Sequence, residues 1–139
     1  MFSTTYANLP WPCLWRTSIA DGKSQRITEG DYSLRGFQLS RDGSRIAFHR
    51  APTPLHDDSD ESEVWVMSGD GEGGVQLTHN GVSENGASLS PDNSTVLFVS
   101  DSNDQFETYY NDNIFLIPAA GGKHRLLLPE MPHEVRSAR

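Results

Sequence analysis

The stretch Leu89-Ser90-Pro91-Asp92-Asn93-Ser94-Thr95-Val96-Leu97-Phe98-Val99 decides the fold. It reads as the end of one strand, a tight turn and a second strand. Pro91 presets the φ angle of the first turn corner, Asp92 can accept hydrogen bonds from nearby backbone, and Asn93 tolerates a left-handed backbone. Thr95 to Val99 is a β-branched and aromatic run that suits a buried or half-buried strand. Fifty residues earlier the same device stands as Leu39-Ser40-Arg41-Asp42-Gly43-Ser44-Arg45-Ile46-Ala47-Phe48-His49, aligned without a gap. A match of this kind is an internal repeat, and it settles the architecture before any single residue does.

Working outward, the same offset pairs Leu14 with Val64 and Ile114, Trp15 with Trp65 and Phe115, and Ile27 with Leu77 and Leu127. Each full unit holds two hairpins, hence four strands, expected at 36–40, 45–50, 63–68 and 75–79 and again at 86–90, 95–100, 113–118 and 123–128. Ahead of them a single hairpin over 14–28 turns at Asp21-Gly22, a strong short-range hairpin signal. Four antiparallel strands repeated at this length predict an all-β fold, a β-propeller built of blades. A sandwich of many short strands has no need of repeat-matched turns and explains less. The expected organisation is a single partial propeller over 1–139: a half blade at 14–28, blades at 36–79 and 86–128, and a tail or the start of a further blade at 129–139. That makes about two and a half blades, where propellers typically have four to eight. The expectation is therefore a fragment, a truncated reading frame or a piece that pairs with a partner at its open blade edges.

Composition agrees. Only 35% of the 139 residues are apolar, with 12 Gly and 8 Pro, which favours a turn-rich β protein. A net charge of −8 argues against nucleic acid or an anionic membrane face as partner, since both demand a basic footprint. Cys13 is the one cysteine, so neither an intrachain disulfide nor a cysteine zinc site is available, and no cofactor is expected. Neither a signal peptide nor an apolar run of membrane-spanning length is seen, and the expected location is cytoplasmic.

The polar insertions 51–62 and 101–112 fall at matched positions between the second and third strands of each blade, on one face, the face on which binding is expected. The acidic run His56-Asp57-Asp58-Ser59-Asp60-Glu61-Ser62-Glu63 fails the calcium-loop template, which needs Gly at its sixth position. Its first reading is a solvated loop and its second a ligand for a cation. Asp101-Ser102-Asn103-Asp104-Gln105 fails the same template at Phe106. Trp15, Trp65 and Phe115 read as core between blades. The five His residues, at 49, 56, 79, 124 and 133, show no ligand spacing and read as surface or loop positions. Cys13 has no adjacent base, and Asp42 and Asp92 read as turn formers.

The turns Ser40-Arg41-Asp42-Gly43 and Ser90-Pro91-Asp92-Asn93, with the Leu77-Thr78 blade ending, resemble the TolB-like propeller repeat, over roughly 14–128. The long loop Phe106-Glu107-Thr108-Tyr109-Tyr110-Asn111, the strand that follows to Pro118, and Gly121-Gly122 look like propellers of the prolyl oligopeptidase family. The resemblance implies a parent serine peptidase in which an N-terminal propeller covers an α/β-hydrolase domain. This chain holds no such domain and no Gly-x-Ser-x-Gly elbow; Gly86-Ala87-Ser88-Leu89-Ser90 is the nearest miss. The implied role is non-catalytic: the propeller gates or positions peptides for a hydrolase domain outside this chain, with no catalytic and no metal-binding residue of its own. By analogy with acidic residues of dipeptidyl-peptidase propellers, Asp60, Glu61 and Glu63 would meet a peptide amine. Glu107, Tyr109 and Tyr110 have two readings: the first is that the two Tyr rings pack their loop onto its blade, the second that all three face the substrate side. Two alternatives stay open: a TolB-like scaffold for protein–protein interaction, and a lyase or hydrolase whose site lies in blades outside this chain.

Overall fold

The computed structural model describes residues 2–5, 12–108, 111–130 and 135. Eleven strands form three antiparallel sheets among these residues. The first holds β1 (Phe2–Thr5), β2 (Cys13–Thr17) and β3 (Ser24–Arg26). The second runs in order through β4 (Leu34–Leu39), β5 (Arg45–Arg50), β6 (Glu63–Ser68) and β7 (Val75–Gln76). The third repeats that meander as β8 (Glu84–Leu89), β9 (Thr95–Ser100), β10 (Asn113–Pro118) and β11 (Arg125–Leu127). The first sheet thus has three strands where the sequence suggested a hairpin, because Phe2 to Thr5 pair with Arg16 to Cys13.

The turns 40–44 and 90–94 close in the same way. Ser40 Oγ donates to Asp42 Oδ1 (2.7 Å), which also accepts from Ser44 N (3.0 Å), while Arg45 N donates back to Ser40 Oγ (2.9 Å). Ser90, Asp92, Ser94 and Thr95 repeat the network at 2.6, 3.1 and 3.0 Å. The next corner is left-handed in both, at φ 74° for Gly43 and 60° for Asn93, which Gly and Asn adopt at low cost. Asn93 then uses its side chain to cross between sheets: Nδ2 donates to Asp42 Oδ2 at 2.9 Å and to Ser44 Oγ at 3.1 Å. The donors hold both carboxyls low. Asp42 sits well below its ordinary range, chiefly through the Ser44 amide, and Asp92 falls to about 2, chiefly through the Ser90 hydroxyl.

Side-chain alternation sends each strand's residues into two different cores. On β5 and β6 of the second sheet, Ile46, Phe48 and Met67 pack with Leu14 and Ile27 of the first sheet, whereas Ala47, Val64 and Val66 face the third. The third sheet answers with Val96, Phe98, Phe115 and Ile117, the positions matched to Ile46, Phe48, Trp65 and Met67. Phe98 and Phe115 are register partners whose rings stack at 5.2 Å. Such face-to-face stacking explains why β5 is buried on both sides.

Several details differ from the sequence reading. The innermost strands begin at Leu34 and Glu84, two residues early, ahead of a register shift that falls between Leu34 and Gly36 in one and between Asn85 and Ser88 in the other. Trp15 and Trp65 are only half-buried, unlike Phe115; Trp65 shares its face with polar Arg50 and Glu63 at the open end of the strand pair. His49 is a core residue, not a surface one: it is 4% exposed, and its Nε2 accepts the Ala87 N–H of the third sheet at 3.0 Å. Burial pushes its pKa down to about 4. His133 lies outside the described residues.

Candidate functional site

The antiparallel meander puts the turns 40–44, 69–74 and 90–94 at one end of the sheets. The longer connections 27–33, 51–62, 77–83 and the described residues 101–108 lie at the other. At that second end the acidic insertion is pinned rather than loose. Ala51 N donates to Ser33 O (2.9 Å) and Ser33 N to Thr53 O (3.3 Å), which ties the loop to the start of β4. Thr53 Oγ1 bonds Asp58, and Asp57–Glu61 forms one 3-10 turn with Ser59 buried beneath it. The carboxylates of Asp57, Asp60 and Glu61 stay exposed, so the loop is solvated on its outer side only.

Beside this turn lies a recess of about 250 Å³ whose walls include Arg50, Glu61, Glu63, Trp65, Gln76 and Gly81. A wider one of about 590 Å³ shares Glu61 and Gly81 and adds Asp57, Asp60, Asp101 and Thr108. The Arg50 guanidinium lies over two rings, 3.9 Å from the Tyr32 centroid and 4.5 Å from that of Trp65, contacts that fix its plane. Arg50 and Glu63 are direct register partners. Yet Glu63 turns elsewhere, its Oε1 accepting Asn80 N and Gly81 N at 2.8 Å each. Its Oε2 is buried with no hydrogen-bond partner among the described residues.

Behind Glu63 stands a second carboxylate that the sequence reading did not single out. Glu84, 6% exposed on β8, accepts Val64 N (3.2 Å) and Thr78 Oγ1 (2.7 Å) at Oε2 and Asn80 Nδ2 (2.7 Å) at Oε1. It therefore bridges the second and third sheets. Burial raises its pKa to about 7 against the lowering by Asn80 and Thr78, and the Glu63 charge adds to the rise.

Of the residues expected to meet a peptide, Asp60, Glu61 and Glu63 come together around the two recesses. Glu107 stands apart: it is exposed, and Asn103 takes up both its backbone N–H (3.0 Å) and its Oε2 (2.7 Å). Tyr109 and Tyr110 lie outside the described residues. Phe106 takes a left-handed backbone, at φ 58°, and its ring packs at 5.2 Å on Phe115. Arg50, Gln76 and Glu84 were hidden inside strands, and only the packing of β5, β6, β7 and β8 brings them to this end, beside a Trp65 that the sequence marked only as core.

No protein-family model and no curated protein matches the sequence. Solved structures do match. A prolyl endopeptidase superposes over 91% of this chain with a TM-score of 0.65 at 16% identity. The TolB of Agrobacterium tumefaciens gives 0.61 over 83% at 21% identity, and that of Acinetobacter baumannii 0.63 over 89% at 17%. The chain is part of a β-propeller. The chain spans 18% of the prolyl endopeptidase and 40% and 28% of the two TolB chains. At these identities the likeness is one of fold.

Proposed function

We propose that this propeller portion belongs to a prolyl-oligopeptidase-like serine peptidase and positions short peptides for a hydrolase domain outside this chain. The observation that carries the reading is the acidic end of the second blade, where Glu61 and Glu63 face a small recess beside Trp65. Carboxylates beside an aromatic wall suit a peptide's terminal ammonium, and a recess below the usual 300–1,000 Å³ of drug-sized pockets suits a chain end. Blades on either side restrict access to that end, so large folded substrates are excluded and short peptides admitted.

Titration calorimetry of the purified chain with alanyl peptides tests this reading. Free-amine Ala-Ala binds and Glu61→Gln weakens it several-fold; no heat from any short peptide would end the proposal. The chain alone leaves aminoacyl and dipeptidyl reporters uncut, and turnover that survives repurification would contradict its non-catalytic role. A TolB-like scaffold is the second reading. It is favoured by the apolar face of the third sheet directed away from the second, where Leu97, Leu116 and Leu127 are half-buried and Leu128 is 54% exposed. On that reading a protein partner docks there.

A further inference from the structure

Asn-Gly occurs twice in the chain, as Asn80-Gly81 and Asn85-Gly86. In such a pair the glycine amide nitrogen gives up its proton to solvent and attacks the asparagine Cγ. The new N–Cγ bond closes a succinimide ring as the Cγ–Nδ2 bond breaks, and the departing nitrogen takes a proton and leaves as ammonia. Water then opens either ring carbonyl, yielding aspartate or isoaspartate. Glycine favours the attack because it has no Cβ to crowd the nitrogen and turns freely into the required geometry. Both glycines are exposed, both have φ of 65°, and a Cβ at either would meet nothing within 4 Å.

The two asparagines differ. Asn80 is clasped from both sheets: Nδ2 donates to Glu84 Oε1 at 2.7 Å, and Oδ1 accepts Val82 N at 3.0 Å. The attacking nitrogen, Gly81 N, donates to Glu63 Oε1 at 2.8 Å. Removing its proton would set an amide anion against a carboxylate, which Coulomb repulsion opposes. The exposed Asn85 side chain has no hydrogen bond to any described residue, and Gly86 falls inside the register shift between Asn85 and Ser88. On either side of this pair stand two bonds across the seam of the second and third blades. Glu84 Oε2 accepts Val64 N, and Ala87 N donates to His49 Nε2. Isoaspartate at position 85 lengthens the main chain between these two anchors, so they lose their spacing.

We propose that Asn85 is a site of spontaneous conversion to aspartate and isoaspartate, that Asn80 is a locked counterpart, and that isoaspartate at position 85 loosens the seam between the second and third blades. None of this depends on a ligand in the recess.

The test is to age the full chain in neutral buffer, folded and in guanidinium chloride, and to map both sites by mass spectrometry with fragmentation that tells the two acids apart. In the folded chain Asn85 converts about tenfold or more faster than Asn80, whose reaction waits on local opening. In guanidinium chloride the two rates converge, which assigns the difference to the fold. Equal rates in the folded chain, or an Asn85 that converts only when unfolded, would overturn the proposal. Glu63→Ala removes the acceptor of the Gly81 amide, and is expected to speed Asn80 several-fold without changing Asn85. A folded Glu63→Ala protein with Asn80 no faster would refute the lock. The isoaspartate form, separated by ion exchange, unfolds at a lower temperature than the parent. Asn85→Asp, which adds the charge without lengthening the main chain, stays close to the parent. An isoaspartate midpoint equal to that of the parent, or an Asn85→Asp midpoint as low as that of the isoaspartate form, would overturn the effect on the seam.

Discussion

At the seam between the second and third blades, Glu84 and His49 pull stability in opposite directions as pH changes. Glu84 has its pKa raised from 4.5 to about 7, so between those values the folded chain keeps a proton that the unfolded chain has released. Its contribution is complete below about 4.5 and is lost as pH rises through about 7. His49 is lowered from 6.5 to about 4; its contribution is complete above about 6.5 and is lost as pH falls through about 4. The two windows overlap, and the slopes largely cancel. Glu84→Gln removes one of them. Its stability in urea is expected to climb between pH of about 4 and 6.5, by up to about 3 kcal/mol, while the parent chain changes little. Any cost of the amide itself is independent of pH and does not alter this slope. A variant whose curve stays parallel to that of the parent would show that Glu84 is ionised throughout.

At the scale of the element, the repeat copies hydrogen bonds as faithfully as it copies apolar positions. Thr28 Oγ1 accepts Leu14 N at 2.8 Å, and Thr78 Oγ1 accepts Val64 N at the same distance. This is the physical content of the Leu-Thr ending: the hydroxyl takes up a buried amide at the mouth of the neighbouring strand. Thr28→Val leaves the Leu14 amide without its partner and is expected to cost about 1–3 kcal/mol in urea unfolding, with Thr28→Ser restoring most of the loss. A Thr28→Val protein as stable as the parent would mean that water reaches this amide. The central strands of each blade were legible because both their turns and their apolar positions recur at one offset. β1 was not, since Phe2-Ser3-Thr4-Thr5 has no counterpart in the repeat and becomes a strand only by pairing with β2. The early starts at Leu34 and Glu84 were hidden by register shifts. The acidic turn was visible as composition, but Arg50 was not visible as a site residue, because a strand-end arginine reads as solvated until Tyr32 and Trp65 are seen beneath it.

For the whole molecule, the question is what the two outer sheets do with faces that the middle sheet buries twice. Register puts Leu97, Val99, Ile114, Leu116 and Leu127 on one side of the third sheet. These match Ala47, His49, Val64, Val66 and Leu77, the side of the second sheet that receives Phe98 and Phe115. The same side of the third sheet is apolar but incompletely covered by the described residues: Leu97, Leu116 and Leu127 remain half-buried. Val99 and Ile114 on that side are buried, and a row of leucines left half-buried on a sheet face is the kind of patch that marks an interaction surface. The net charge of −8 opposes association of copies at low salt and is screened at about 0.15 M. Self-association of the purified chain is therefore expected to strengthen with added salt in sedimentation velocity. Leu116→Glu, which sets a charge in the middle of that row, is expected to abolish it while shifting the unfolding midpoint far less than Phe115→Ala, whose ring is fully buried and whose loss costs about 3–5 kcal/mol. Association that is unchanged by Leu116→Glu would place the contact elsewhere, on the exposed backbone edges of β7 or β11.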